Sequence, residues 1–295
     1  MEFAYIDWLR RQTPMNPRAL VGPGDDAAVL DWPAPSSCLV TTDMLMDDVD
    51  FRLDEVGPHR VGRKAMAVNL SDIAAMAGRP VAAVVAVALP RTGNTSLAEE
   101  LYRGMREMAD AFDTPIVGGD TNGWNGPLVI SATVLGEAVG RGPVLRRGAK
   151  PGDWLLVTGP LGGSIRGKHL DFTPRVREAL RLHDLVELHA MIDISDGLAA
   201  DVGHICAESG CGVVLRAEDI PLSNDSRDLE QALSDGEDFE LAFAVSPADG
   251  QMLLNKQPVL GITLSAIGEF VADGIWLEQA SERRPMQPKG WVHEL

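Results

Sequence analysis

The sequence predicts two domains of similar size, each of the α/β or α+β class, with mixed sheets packed with helices. Three observations lead there. The chain has 295 residues, and most domains hold about 100–200. It is 45% apolar and 23% charged, the balance of a chain that buries a core. Strand-like apolar runs alternate with helical periodicities. A stretch rich in Gly, Pro and basic residues, GRGPVLRRGAKPGD at 140–153, reads as a junction between the halves.

The elements follow in order. Residues 37–44 (SCLVTTDM) read as a strand with a polar end. Residues 58–77 read as a helix: Pro58 suits its first position, and Val61, Ala65, Val68, Ile73 and Met76 give it an apolar stripe that stops at Gly78 and Pro80. VAAVVAVAL (81–89) is a strand. Residues 96–112 form an amphipathic helix that Ser96 could cap, with Glu99 completing a capping box. TPIVGGD and PLVISATVLGEA are strands. Beyond the junction come a strand (WLLVTG, 154–159), a helical region around 174–189, and IDISDG (192–197) leading into a helix through about 209. CGVVLRA, LAFAV (241–245) and GIWLEQ (274–279) are further strands.

Composition narrows the function. A net charge of −17 with pI near 4.7 repels nucleic acid and anionic membranes. If the substrates are anionic, cations must mediate the contact. No run approaches the roughly 20 apolar residues that span a bilayer, and the N-terminus lacks the pattern of a secretory signal. Three cysteines without a CxxC pair fit a reducing cytoplasm.

Two glycine motifs are decoys. Gly22-Pro23-Gly24-Asp25-Asp26-Ala27 matches GxGxxA, but two carboxylates stand where a pyrophosphate would approach, and Pro33 and Pro35 cut the helix short. Gly162 to Lys168 matches GxxxxGK, but His169 stands where a P-loop needs Ser or Thr. A flexible glycine-rich loop is the reading there. His183 and His189 read as helix-surface residues.

A set of aspartates carries more. Asp26 follows the glycine corner, Asp43 ends LVTTD, Asp72 sits in AVNLSDIAAMAG, Asp120 ends IVGGD, and Asp193 and Asp196 sit in IDISDG. Each stands where an apolar element meets a polar group. Buried carboxylates are costly unless paired or bound to metal, and Lys and Arg are scarce nearby. Asp and Thr oxygens suit Mg²⁺, which bridges to substrate phosphates. Thr41 and Thr42 add hydroxyls beside Asp43. Singly, each aspartate also reads as a turn former or helix cap. Together they point to a phosphate site with several Mg²⁺ ions.

In combination, GDDAAVL, TTDMLMDDVDF, GRKAMAVNLSDIAAMAGRP, IVGGDT, RRGAKPGDWLLVTG, IDISDGLAADVGHI and SDGEDFELAF resemble the thiamine-monophosphate kinase family, of the aminoimidazole ribonucleotide synthetase-like superfamily. The resemblance runs from about residue 20 to the C-terminus. It implies a two-domain architecture of that superfamily, with 1–140 as an ATP- and Mg²⁺-binding and dimerisation domain. Residues 141–295 then form an α/β domain completing the nucleotide and substrate site. It implies a homodimer, ATP in a cleft held by several Mg²⁺ ions, and direct transfer of the γ-phosphate to thiamine monophosphate. Matched motif by motif, Asp26, Thr41, Thr42, Asp43, Asp72, Asp120, Asp193 and Asp196 look like metal ligands. Gly119, Asp120, Arg146 and Ser195 match nucleotide positions, and Asp43, Asp120 and Arg146 would support the transfer. Asp50, Glu237 and Trp291 fall where the family binds the acceptor.

The chain also departs from the family pattern. An aspartate usual in the glycine-rich loop is replaced by Gly162-Gly163-Ser164. The longer segment that the family carries before HLRPxPR is shortened. The motif itself reads HLDFTPR (169–175), with Asp171-Phe172 in place of Arg-Pro, and GGEDY reads Asp235-Gly236-Glu237-Asp238-Phe239. Asp50 stands where many relatives have histidine. Other superfamily readings lack their marks: a selenophosphate synthetase needs a reactive cysteine in its N-terminal loop, and a hydrogenase-maturation protein a C-terminal one. An aminoimidazole ribonucleotide synthetase and a non-catalytic nucleotide or metal sensor stay as alternatives.

Overall fold

Alternation along Cys38–Met46, with Leu39 and Leu45 buried and Val40 and Met44 exposed, shows how the first sheet is laid down: one face meets a core and the other does not. The computed structural model describes residues 8, 11–12, 17, 19–21, 29–32, 36–91 and 95–291. The chain divides into two compact units, Met1–Ile73 with Gly78–Val139, and Ala74–Ala77 with Gly140–Leu295.

In the first unit β1 (Ala19–Val21) and β2 (Val29–Leu30) form a small antiparallel ladder. The main sheet joins β3 (Cys38–Met46), β4 (Arg79–Pro90), β5 (Ile116–Trp124) and β6 (Val129–Glu137) in the order β3-β6-β4-β5. Only β4 and β5 run parallel. A short helix, α1 (Leu53–Val56), leads into α2 (Pro58–Ala75), and α3 (Thr95–Ala111) follows β4. Buried Ala98, Leu101, Tyr102, Met105, Met108 and Ala109 recur every three to four residues, the spacing of one helix face. Ser96 lies inside the first turn of α3 rather than at its cap, so the predicted capping box is not formed.

Two glycines set how α2 meets α3. A Cβ on Gly62 would stand 2.0 Å from the Leu101 carbonyl oxygen, and one on Gly104 would stand 1.9 Å from that of His59. Each helix therefore uses a missing side chain to admit the other's backbone. Arg63 and His59, both reaching Glu107, flank this notch.

The second unit holds a seven-stranded sheet of β7 (Trp154–Thr158), β8 (Ala190–Asp193), β9 (Gly212–Arg216), β10 (Leu241–Val245), β11 (Leu264–Val271), β12 (Ile275–Gln279) and β13 (Glu282–Pro285). Its order is β13-β12-β9-β11-β7-β10-β8, and only β9 and β12 are parallel. All five residues of β10 are buried, as a short unbroken apolar run predicts for a strand covered on both faces. Helices α4 (Lys168–Asp171), α5 (Val176–Leu185), α6 (Leu198–Ser209), α7 (Leu229–Ser234) and α8 (Pro247–Leu260) complete the unit. Gly210, at φ 65°, stops α6: its N–H and that of Cys211 both reach the Cys206 carbonyl, the hydrogen-bonding signature of a left-handed helix end. His183 is buried, and His189 precedes β8 with its Nδ1 2.7 Å from Asp153. Neither is a helix-surface residue: His183 faces the packed side of α5, and His189 lies outside any helix, half-buried against Asp153.

Candidate active site: a carboxylate cluster in each unit

The first cluster sits on β3, α2 and the turn between them. Sequence reading places Asp43 at a strand end, but β3 runs on to Met46, so Asp43 is held inside the strand. Thr41 and Asp43, two residues apart, share one face, and the Thr41 hydroxyl donates to Asp72 Oδ2 on α2. Thr42 points the other way: its Oγ1 donates to the Ala132 carbonyl at 3.0 Å and accepts from Thr133. Asp50 joins Asp43 from the turn after β3. Its Oδ2 accepts the Met46 N–H at 2.7 Å, while the fully buried Lys64 donates to its carbonyl at 2.8 Å.

The Asp43 carboxyl is pushed up to about 7, first by burial and then by the charges of Asp72 and Asp50. Its Oδ2 is buried and accepts no hydrogen bond, and neither does the buried Oδ1 of Asn69, three residues before Asp72 in α2. A buried oxygen without a donor costs about 1–3 kcal/mol. Carboxylate, hydroxyl and amide oxygens are the ligands a hard divalent cation takes. The residues present fit one.

Asp120 and Gly119 lie on β5, the far edge of the same sheet. Their rungs pass through Val85 and Ala86 on β4 to Ala132 and Ser131 on β6, and so to Asp43 and Met44. Three strand spacings, roughly 14 Å, separate them laterally from β3. Asp120 is exposed and sits mid-strand, because β5 continues to Trp124. Gly119 is required by packing: a Cβ there would stand 2.0 Å from the Val85 carbonyl oxygen. Asp26 lies outside the described residues.

The second cluster forms where β8 ends. Asp193 is buried at that end, and Ser195 and Asp196 occupy the turn into α6. Asp201, one turn into α6, reaches back to accept the N–H groups of Asp196 and Gly197, each at 3.1 Å. Burial, then Asp193 and Asp196, push its carboxyl up to about 8. Ligand atoms of Asp196, Asp201 and His204 lie within 4.8 Å of one another. Sequence reading missed Asp201 and His204. Their spacing, one helical turn apart and just after a capping turn, was the available signal.

Two other segments close on this turn. The Glu237 N–H donates to the Ser195 carbonyl at 2.7 Å, and Phe239 and Ile194 are bonded similarly. From the C-terminal side, the Trp291 N–H donates to the Asp196 carbonyl at 2.9 Å, with Gly290 against Ala200 and Pro288 against Gly203. Trp291 keeps its ring exposed. The structure thus gathers Asp193, Ser195, Asp196, Glu237 and Trp291. Arg146 is exposed on the segment before β7, with its carbonyl accepting from Ser209 at the end of α6.

The glycine-rich loop is pinned rather than loose. Asp238 accepts the Gly162 N–H and the Ser164 hydroxyl, and Asp235 accepts the Gly163 N–H at 3.1 Å. Leu161 through Ser164 are buried. The segment that grips this loop is itself strained. Glu237 and Phe239 both take left-handed backbone, at φ 54° and 49°, beside Gly236 at 74°. For residues with a Cβ such conformations cost about 1–3 kcal/mol each and persist where neighbours over-determine them.

Here those neighbours are identifiable. Glu240 is buried and accepts from Thr158 at 2.8 Å, from Lys168 at 3.0 Å, and from Arg175 through two nitrogens at 2.7 and 2.9 Å. Burial opposes the Arg175 charge, but Glu240 and then Glu178 hold the guanidinium above its ordinary range. Phe239 stacks on Phe172, with centroids 4.1 Å apart and planes 14° from parallel.

Comparison with known proteins extends these observations. Residues 24–138 match the AIR synthase related protein, N-terminal domain, and 150–276 the AIR synthase related protein, C-terminal domain. A thiamine-monophosphate kinase of Rhodopirellula baltica is 41% identical, covering 99% of this chain and 97% of its own. One from Caulobacter vibrioides is 35% identical over 99% of this chain and 90% of its own. The crystal structure of thiamine-monophosphate kinase from Stenotrophomonas maltophilia superposes with a TM-score of 0.82 at 35% identity, over 95% of this chain and 97% of that one. AaThiL complexed with AMPPCP and TMP gives 0.78 at 28% identity, over 99% and 97%. The hydrogenase maturation protein HypE of E. coli shares the fold, with a TM-score of 0.80 at 21% identity over 97% of each chain.

Proposed function

Because the chain belongs to the thiamine-monophosphate kinase family of AIR synthase related proteins, we propose that it passes the γ-phosphoryl group of ATP directly and in line to thiamine monophosphate, yielding thiamine diphosphate and ADP. The observation that carries this reading is Asp43: a buried carboxylate oxygen without a hydrogen-bond donor, beside Asp50 and Asp72. Such a group calls for a cation.

A phosphate monoester has a second pKa near about 6, so the acceptor is mostly dianionic at neutral pH and needs no general base. The barrier is the meeting of two polyanions. Positioning and charge neutralisation carry such transfers, and Mg²⁺, when bound, supplies that neutralisation. Asp26, Thr41, Asp43, Asp72, Asp120, Asp193 and Asp196 would hold several such ions, while the hydroxyl of Thr42, turned to the other face of β3, would not share the ion at Asp43. Gly119, Asp120, Arg146 and Ser195 would meet the nucleotide, with Arg146 adding positive charge. Asp50 and Glu237 would favour the cationic thiazolium, and the exposed Trp291 offers it an aromatic face.

The same reading includes a homodimer. Val40, Met44 and Val84 expose apolar surface on one face of the first unit's sheet, a feature monomers avoid at scale. Cys38, Cys206 and Cys211 are free, which fits the reducing cytoplasm we propose as its compartment. No helix among the described residues is long and apolar enough to cross a membrane.

The test is turnover: the purified chain with Mg-ATP and thiamine monophosphate should form thiamine diphosphate and ADP one for one. ATP binding without product would overturn the kinase reading and favour a nucleotide sensor.

A further inference from the structure

Two departures from the family pattern meet in space. Phe172 belongs to the altered HLDFTPR and Phe239 to the altered SDGEDFE, yet their buried rings stack at 4.1 Å. On either side of this stack, Lys168 and Arg175 converge on Glu240. The segment 168–175 therefore grips both residues that follow Asp238. Between the grip and the bond from Glu237 to Ser195 lies the left-handed backbone of Glu237 and Phe239. Nothing in the intrinsic preference of Glu or Phe favours that backbone. Tertiary contacts must hold it.

We propose that Phe172 and Arg175 are positioning residues for the phosphate acceptor. By stacking on Phe239 and clamping Glu240 they keep Glu237 in its left-handed conformation, which fixes where its carboxylate meets the cationic ring. The role rests on the reading that Glu237 faces the acceptor. It also gives a purpose to Phe172, which stands where the family pattern has the proline of an Arg-Pro pair: its ring holds the loop by stacking on Phe239. Arg175 acts through its planar fork, since two of its nitrogens reach the two oxygens of one carboxylate, a geometry lysine cannot reproduce.

Steady-state kinetics on the full chain test this. Phe172→Ala should raise KM for thiamine monophosphate about tenfold while KM for Mg-ATP changes less than about twofold. Phe172→Tyr, which keeps the flat ring, should recover most of the loss, and Phe172→Leu, which keeps only volume, a smaller part. Arg175→Lys should shift the acceptor KM in the same direction. Because the stack is one interaction, Phe172→Ala with Phe239→Ala should be little worse than either alone. Hydrogen exchange should show faster amide exchange at 236–240 in Phe172→Ala. If Phe172→Ala does not fold, the Tyr and Leu variants and Arg175→Lys carry the comparison. Equal shifts in both KM values, or a lowered Tm with neither KM changed, would overturn the positioning role alone. No turnover by the unsubstituted chain would overturn the kinase reading and this role with it.

Discussion

Asp43 keeps its proton to about pH 7 because burial, and then Asp72 and Asp50, disfavour another charge beside them. An unfolded aspartate releases its proton near about 4. Between those values the folded chain binds more protons than the unfolded one, so stability is full below about pH 4 and declines as pH rises through about 7. Asp201, raised to about 8, extends the decline. In EDTA, the Tm is expected to fall across this window, and Asp43→Asn to flatten the fall; parallel curves for the two proteins would contradict the account. With Mg²⁺ present the same substitution should remove turnover and weaken Mg²⁺-dependent ATP binding at least about tenfold, measured by calorimetry. The sequence shows these aspartates through their apolar surroundings. It does not show that Thr42 faces away from Asp43, because strand alternation separates neighbours that look like one motif.

At the scale of elements, most of the regular structure was legible, since β10, α3 and α6 each carry an unambiguous period or an unbroken apolar run. What escaped was set by distant contacts. The 162–167 loop reads as flexible from its glycines, yet Asp235 and Asp238, some seventy residues on, hold it. The notch between α2 and α3 likewise leaves no local trace beyond two unremarked glycines. Gly62→Ala or Gly104→Ala should destabilise the chain by about 1–3 kcal/mol, as overpacking does. Urea denaturation measures it, and an unchanged midpoint would show that the helices can part without cost.

For the whole molecule, charge and surface matter most. A net charge of −17 leaves anionic substrates dependent on cations for approach. If the chain dimerises through the exposed sheet face as proposed, it should sediment as a dimer, and Val40→Asp with Met44→Asp should sediment as a monomer. A monomeric unsubstituted chain would overturn the dimer, and an unaltered dimer in the variant would place the interface elsewhere. The C-terminal tail has a separate consequence, one of timing. Residues 288–291 dock on Ala200, Gly203 and the Asp196 carbonyl, although every strand of the second unit ends by Pro285. Synthesis runs from the N-terminus, so the segment that covers the turn into α6 is made only after every strand of the unit. A chain interrupted between Pro285 and Trp291 would then keep every strand of the second unit and lack only the cover over that turn, a product expected to pass as native by its secondary structure and to fail at the bench only when asked to work.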